Sequence, residues 1–396
     1  MNRIIKYALF FSASLVWSQD IYTEYLVIGE DSLDVFSYQI PENYNDLNTH
    51  SLLVVFHQWG GDEITPYYTQ FDEEANTRNW LYLSPFGGSS NNYNHQNAQY
   101  FVMQEIIWLS EQYNVDSNRI YMVGGSMGGA AGAIFANNHL DPTQPMVAAT
   151  ASASGILDCE RRSYEMDGNN SMIEWFGGSP EDVPFEYHRN SAVFFADSTQ
   201  SMHFNLQHTP LYLDFGISEP HRTHAEDLFV LLEGYNLNMW IDTIPTGSHG
   251  FSVFNENHAC DWMSQFELEK NPEGINVNLD EPSRAYWLEA KNQVYEDEFI
   301  RINCEQCYEN TYCINQFNNS DTLIFHILND SIPSNIQFYN YQYNTIFTIG
   351  ITGTSPIIST ISDVSFEGFN SAYWNNLNQD LGIIYVDISW GYYNMS

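Results

Sequence analysis

The sequence has 396 residues, with 12 Lys+Arg against 50 Asp+Glu and a formal net charge of −38. A charge of that sign repels phosphate backbones and anionic lipid headgroups, which argues against nucleic-acid partners and electrostatic membrane binding. The 25 Phe, 27 Tyr and 10 Trp are too many rings for a chain that stays unfolded.

Residues 1–18 read as an export signal. Arg3 and Lys6 form a basic start, Tyr7 to Trp17 an apolar stretch too short to span a bilayer comfortably, and Val16 and Ser18 offer small residues ahead of Gln19. A secreted protein, extracellular or periplasmic, is therefore expected, in a setting where disulfides persist. The five cysteines leave an odd thiol. A local disulfide is expected among Cys304, Cys307 and Cys313, and a Cys159–Cys260 pair is open. Three clustered thiolates without a clear fourth ligand argue against zinc.

Ile21–Ile40 reads as an antiparallel hairpin turning near Gly29-Glu30-Asp31. Ser51–His57 is a near-continuous apolar run, as expected of a parallel strand buried on both faces. Trp80–Ser84, Ile120–Gly124, Val147–Ser152 and Pro210–Phe215 repeat that signal, while Val102–Tyr113 and Glu226–Gly234 carry helical spacing. This alternation predicts an α/β fold with a mainly parallel central sheet covered by helices, over a catalytic region 19–272. Beyond Arg301 there is no Lys or Arg. Short runs such as Thr322–Leu328, Thr345–Ile351 and Gly382–Ser389 predict a β-rich C-terminal module, 273–396, arranged as a small sandwich and joined through Asn271–Pro282.

The strongest chemical signal is Gly124-Gly125-Ser126-Met127-Gly128-Gly129, between the strand Ile120–Val123 and the small-residue stretch Ala130–Ala136. A strand turning abruptly into a helix lifts the serine oxygen clear of the sheet, and the flanking glycines let strand and helix approach. No P-loop Lys follows, which separates this turn from a phosphate cradle. A serine hydroxyl needs a base and a group to orient that base. His249, in Thr246-Gly247-Ser248-His249-Gly250-Phe251, follows the alternating run Met239–Ile244 at a strand's C-terminal end, where sites form in parallel sheets. Glu219, in Gly216-Ile217-Ser218-Glu219-Pro220, is the expected carboxylate, with Asp214 in the preceding strand as its rival. Oxyanion donors are expected at the Met127 N–H and, in His57-Gln58-Trp59-Gly60-Gly61, at the Trp59 N–H, with Gln58 as the alternate. Trp59 and Gln58 are also candidates for lining the substrate pocket. His57 reads as a structural hydrogen-bonder, and His221-x-x-His224 as a solvated helix start.

The run Val115-Asp116-Ser117-Asn118-Arg119-Ile120-Tyr121 entering the Gly-x-Ser-x-Gly turn resembles the secreted polyhydroxyalkanoate depolymerase and feruloyl esterase group of α/β hydrolases. The His57 loop, Gly177-Gly178-Ser179-Pro180 and the His249 loop extend the likeness over roughly residues 45–260. The resemblance implies a cofactor-independent serine esterase with Ser126, Glu219 and His249 as its triad, acting on a polymeric or plant-derived ester. Two features depart from the group: Gln58 stands where glycine is usual, and Glu219 where aspartate is commoner. A peptidase related to the prolyl oligopeptidases and a binding protein on an inactive scaffold are the rival readings.

Overall fold

The structure, a computed structural model, describes residues 20–28, 31–166, 171–308 and 311–326, and the strands at 335–338, 346–352, 365–367, 371–378 and 383–389. The export signal expected at 1–18 and the tip of the first hairpin lie outside the described residues. Eight strands form one sheet: β1 (Tyr22–Ile28), β2 (Asp31–Gln39), β3 (His50–Phe56), β4 (Leu81–Pro85), β5 (Val115–Gly125), β6 (Ala149–Ala153), β7 (Leu211–Gly216) and β8 (Met239–Ile244). Their order is β1-β2-β4-β3-β5-β6-β7-β8. The hairpin β1–β2 is antiparallel and meets β4 antiparallel, and every other pair is parallel.

The apolar run of β3 explains its central place, because side chains alternate across a strand. Leu52, Val54 and Phe56 join one core cluster, and Leu53 and Val55 the other. The helices are α1 (Phe71–Thr77), α2 (Gln96–Gln112), α3 (Met127–Asn138), α4 (Cys159–Glu165), α5 (Met172–Phe176), α6 (Pro184–Arg189), α7 (Arg222–Leu232) and α8 (Glu256–Met263). Val102, Ile106 and Leu109 of α2, Ile134 and Phe135 of α3, and Leu228 and Leu232 of α7 share the first cluster. Phe71 and Ala75 of α1, with Ala259 and Met263 of α8, share the second. Both faces of the sheet are thus covered, as a parallel sheet requires. Among the described residues no helix is long and apolar enough to cross a membrane.

The C-terminal part adds two mixed sheets. One runs β10 (Arg284–Ala285), β11 (Leu288–Gln293), β14 (Ser320–His326), β16 (Ile346–Thr352), β19 (Ile383–Ser389) and β18 (Ser371–Asn378) in spatial order. The other runs β17 (Ser365–Glu367), β15 (Asn335–Phe338), β13 (Thr311–Asn318), β12 (Ile300–Tyr308) and β9 (Gly274–Leu279). Ile275, Val277, Ile302 and Ile314 from one sheet and Leu288, Leu323 and Phe325 from the other share a single cluster, which Leu140 and Met146 of the first part also enter. The segment expected as a linker, Asn271–Pro282, holds β9 instead; its alternating apolar residues pair it with β12.

The two parts also meet through buried polar groups. Arg189 Nη2 lies 2.6 Å from Asp280 Oδ2, and Gln96 Nε2 donates to the same oxygen at 2.7 Å. Asn205 Nδ2 donates to the carbonyls of Asn137 and Asn278 at 2.8 and 2.9 Å. A disulfide joins Cys307 and Cys313, while Cys159, Cys260 and Cys304 are free and buried. The open Cys159–Cys260 pairing does not form, because Cys159 packs against Tyr93 and Met172 and Cys260 lies in the cluster beneath β3.

Candidate functional site

The turn from β5 into α3 holds Ser126 at φ 56° and ψ −119°, a left-handed conformation that costs a non-glycine residue of the order of 1–3 kcal/mol. Hydrogen bonds with the end of β6 and the loop after it hold it there. Ser126 N–H donates to the Ala153 carbonyl at 2.8 Å, and Ile156 N–H to the Ser126 carbonyl at 3.1 Å. Two glycines open the space around it. A Cβ on Gly128 would meet the His57 carbonyl oxygen at 2.4 Å, so only glycine lets α3 start against the end of β3. A Cβ on Gly125 would meet the Phe251 nitrogen at 2.8 Å, so glycine admits the loop that follows β8.

That loop carries His249, whose Nε2 lies 2.7 Å from Ser126 Oγ. Its Nδ1 lies 2.9 Å from Glu219 Oε1. With Nδ1–H donating to the carboxylate, Nε2 is left to accept from the serine hydroxyl. The Glu219 side chain is fully buried and the His249 side chain 40% exposed. The three groups come from the C-terminal ends of β5, β7 and β8, beyond which ligands bind in open α/β sheets. A serine elbow after the fifth strand, in this strand order, decides the fold. The chain has the α/β-hydrolase fold.

No protein-family model and no curated protein matches the chain. Among solved structures it is similar to an S-formylglutathione hydrolase from Agrobacterium tumefaciens, at 10% identity over 63% of this chain and 98% of that one, with a TM-score of 0.48. It is similar to an S-formylglutathione hydrolase from Staphylococcus aureus at 16% identity, over 61% and 99% of the two chains, with a TM-score of 0.46. The feruloyl esterase module from Clostridium thermocellum is similar at 13% identity, over 63% and 88%, with a TM-score of 0.42.

Within this hydrolase fold, Asp214 is not the carboxylate that meets His249. It sits inside β7, 1% exposed, where burial pushes its carboxyl up to about 7. Met127 begins α3, so its N–H has no carbonyl within the helix to receive it. Trp59 is 58% exposed, and the Gln58 side chain lies against Gly250, beside His249. His57 Nδ1 and Nε2 face the carbonyls of Gln58 and Phe86 at 2.8 and 2.9 Å, which leaves neither nitrogen free to act as a base.

Three parts of the surroundings carry no motif in the sequence. The loop after β4 clamps the start of α3: Tyr93 N–H meets Met127 Sδ at 3.3 Å, and Asn94 Nδ2 donates to the Met127 carbonyl at 3.0 Å. Tyr93 and Asn94 have φ of 45° and 56°, and the polar run Asn91–Asn94 was the available signal. Asp34 anchors the base of the same loop by accepting from Gly87 and Gly88 N–H at 2.8 and 2.9 Å, with fully buried Glu105 against it. The third part corrects the reading of His221 and His224 as a solvated helix start. Glu165 of α4 reaches both, 2.9 Å from His221 Nδ1 and 3.3 Å from His224 Nε2. Burial raises the Glu165 carboxyl, but His224, His221 and Arg161 outweigh it and hold the group at about 2. The His221 ring lies edge-on to that of His249, with centroids 6.0 Å apart. Among the described residues no group of three or more His, Cys, Asp or Glu is placed to hold a metal ion.

Proposed function

We propose that the chain is a serine esterase that works through an acyl-enzyme. The observation that carries the reading is the continuous chain from Ser126 Oγ to His249 Nε2 at 2.7 Å and from His249 Nδ1 to Glu219 Oε1 at 2.9 Å, at a strained strand–helix turn. In this reaction Ser126 Oγ attacks the ester carbonyl while His249 Nε2 takes its proton. The imidazolium returns that proton to the departing alcohol, and buried Glu219 holds the tautomer and stabilises the imidazolium. Water, activated by the same nitrogen, then attacks the acyl group and frees Ser126. The oxyanion is met by the Met127 N–H and the Trp59 N–H, with Gln58 as the alternate donor; each is worth about 3–4 kcal/mol.

We further infer a substrate met outside the cell, a polymeric or plant-derived ester such as an aliphatic polyester or a hydroxycinnamoyl ester. The leader-like residues 1–18 and the Cys307–Cys313 disulfide support this. So does a β-rich module at 273–396 beside a catalytic region at 19–272.

The test is hydrolysis of p-nitrophenyl acetate, butyrate and octanoate, beside methyl ferulate, by the chain starting at Gln19 and by its Ser126→Ala variant. The expected result is turnover that disappears with the serine. A folded protein that turns over none of these esters overturns the reading.

A further inference from the structure

A groove of about 530 Å3 lies in the seam between the two parts, and its walls contain none of the triad residues. That volume falls within the roughly 300–1,000 Å3 of small-ligand sites. Helix α2 builds one wall. Its Val102, Ile106 and Leu109 turn into the core, which leaves Gln96, Tyr100 and Met103, spaced four and three residues apart, along the groove. The end of α3 and the loop after it add Asn138 and Gln144, and the segment leaving β9 adds Asp280 and Glu281.

The groove is open to solvent and its polar groups are accessible. Asn97, Tyr100, Gln144 and Glu281 are exposed residues of its walls, Tyr100 at 42%. Asn97 and Gln144 hydrogen-bond through their backbone nitrogens, to His95 and Asp141, and among the described residues their amide side chains have no partner. An amide sets donors and an acceptor side by side, a pattern that neighbouring hydroxyls can answer with both a donor and an acceptor. Tyr100 adds an exposed ring, whose electron-rich face attracts the polarised C–H groups of a pyranose.

Charge narrows the class of ligand. Asp141, Asp280, Glu281 and Glu289 line the groove, and Arg284 is the one Lys or Arg in its described walls. That balance repels an anionic polymer. Asp280 is already matched by Arg189 and Gln96, and Glu289 by Lys291 and His326, so these carboxylates are not spare ligands for a cation. Met103 and Leu140 are the only purely apolar side chains in those walls, too few to seat the side chains of a peptide. A neutral, polyhydroxylated ligand fits all of these conditions. The groove also adjoins the catalytic turn. Gln99, in its walls, donates to the Asn94 carbonyl at 2.9 Å, and Asn94 Nδ2 donates to the Met127 carbonyl at 3.0 Å.

We propose that this groove binds a neutral polysaccharide, with Tyr100 stacked on a sugar ring and Asn97 and Gln144 hydrogen-bonded to its hydroxyls. The site stands apart from the esterase reading, because binding there requires no reaction at Ser126.

The experiment is native gel electrophoresis of the full chain through gels containing a soluble polysaccharide. Arabinoxylan, mixed-linkage β-glucan and laminarin are the neutral probes, and polygalacturonate and alginate the anionic ones. At least one neutral polymer is expected to retard the wild type and Ser126→Ala equally, and the anionic ones are expected not to. Tyr100→Ala should weaken that binding about tenfold, as the loss of one stacked ring implies, while Tyr100→Phe keeps it. Asn97→Ala and Gln144→Ala should each weaken it about three- to tenfold.

No retardation by any neutral polymer overturns the proposal. Retardation that Tyr100→Ala, Asn97→Ala and Gln144→Ala all leave unchanged places the sugar on another surface and overturns it too. Stronger retardation by the anionic polymers than by the neutral ones has the same effect. All three outcomes leave the esterase reading intact. Absence of Ser126-dependent turnover on every ester is the separate failure that removes that reading.

Discussion

Asp214→Asn separates a buried carboxyl's thermodynamic effect from a catalytic one. Asp214 lies in β7 at 1% exposure, and burial takes its pKa from an ordinary 3.8 to about 7. Below pH 3.8 it is protonated whether the chain is folded or not, and it costs nothing. Between the two values the unfolded chain gives up the proton and the folded chain keeps it, so stability falls by about 1.4 kcal/mol for each pH unit. Above pH 7 both forms are ionised and the full cost, about 4 kcal/mol, is in place. Asparagine never ionises and so escapes it. The gain from Asp214→Asn is therefore expected to be about 1.5 kcal/mol at pH 5 and about 4 kcal/mol at pH 8. The cost of burying the amide itself cancels in that comparison, which leaves about 2.5 kcal/mol. Urea unfolding of both proteins at the two pH values, followed by tryptophan fluorescence, measures it. A gain that is the same at both pH values refutes the argument. The same variant is expected to keep its esterase kcat, and a loss as deep as that of Glu219→Gln would put the acid of the triad back at Asp214.

Glu219→Gln should lower kcat by about 10³- to 10⁴-fold with little change in KM, because the amide no longer selects the productive tautomer of His249; a loss below tenfold in steady-state kinetics counts against the assignment. Ser126→Gly relieves the left-handed turn and should be about 1 kcal/mol more stable than Ser126→Ala in thermal unfolding, with both inactive. Glu105 is wholly buried against Asp34, and burial raises its pKa well above 4.5. Its protonated form therefore favours folding below pH 4.5 and that advantage is lost as pH rises. Glu105→Gln should raise Tm by an amount that grows from pH 5 to pH 9, and a constant difference would contradict this. Replacing Cys307 and Cys313 by serine opens a loop with a sequence separation of 6 and should cost about 2 kcal/mol, read as a lower Tm under oxidising conditions.

What the sequence made legible is whatever local patterning dictates. The apolar runs at β3, β4 and β5 mark buried parallel strands because they lack the alternation of a half-exposed one. The elbow is readable because only glycine tolerates the approaches of the His57 carbonyl and the Phe251 nitrogen. His249 and Glu219 stand out because each follows a strand directly. The contact between Arg162 and His221 has no such signature. It joins α4 to the start of α7 across 59 positions, and only the packing of those two helices sets it. The Asn271–Pro282 segment misleads for a different reason. Its flanking prolines resemble a linker's punctuation, whereas the alternation of Ile275 and Val277 between them is what the fold uses. Glu219 and Asp214 are both buried, and which of them meets His249 is set by the loop after β7, which composition does not encode.

The seam beneath α2 and α6 has a mechanical consequence. Asp280 is gripped from the first part by both Arg189 and Gln96, Asn205 ties Asn137 to Asn278, and Leu140 and Met146 dip into the apolar cluster of the second part. Pulling the halves apart would break that ion pair and its hydrogen bonds and wet two apolar side chains that are now buried. The chain should therefore melt as a single calorimetric peak. A protein cut at Pro272 would not be a smaller version of this one but an adhesive fragment, prone to clump through its uncovered flank.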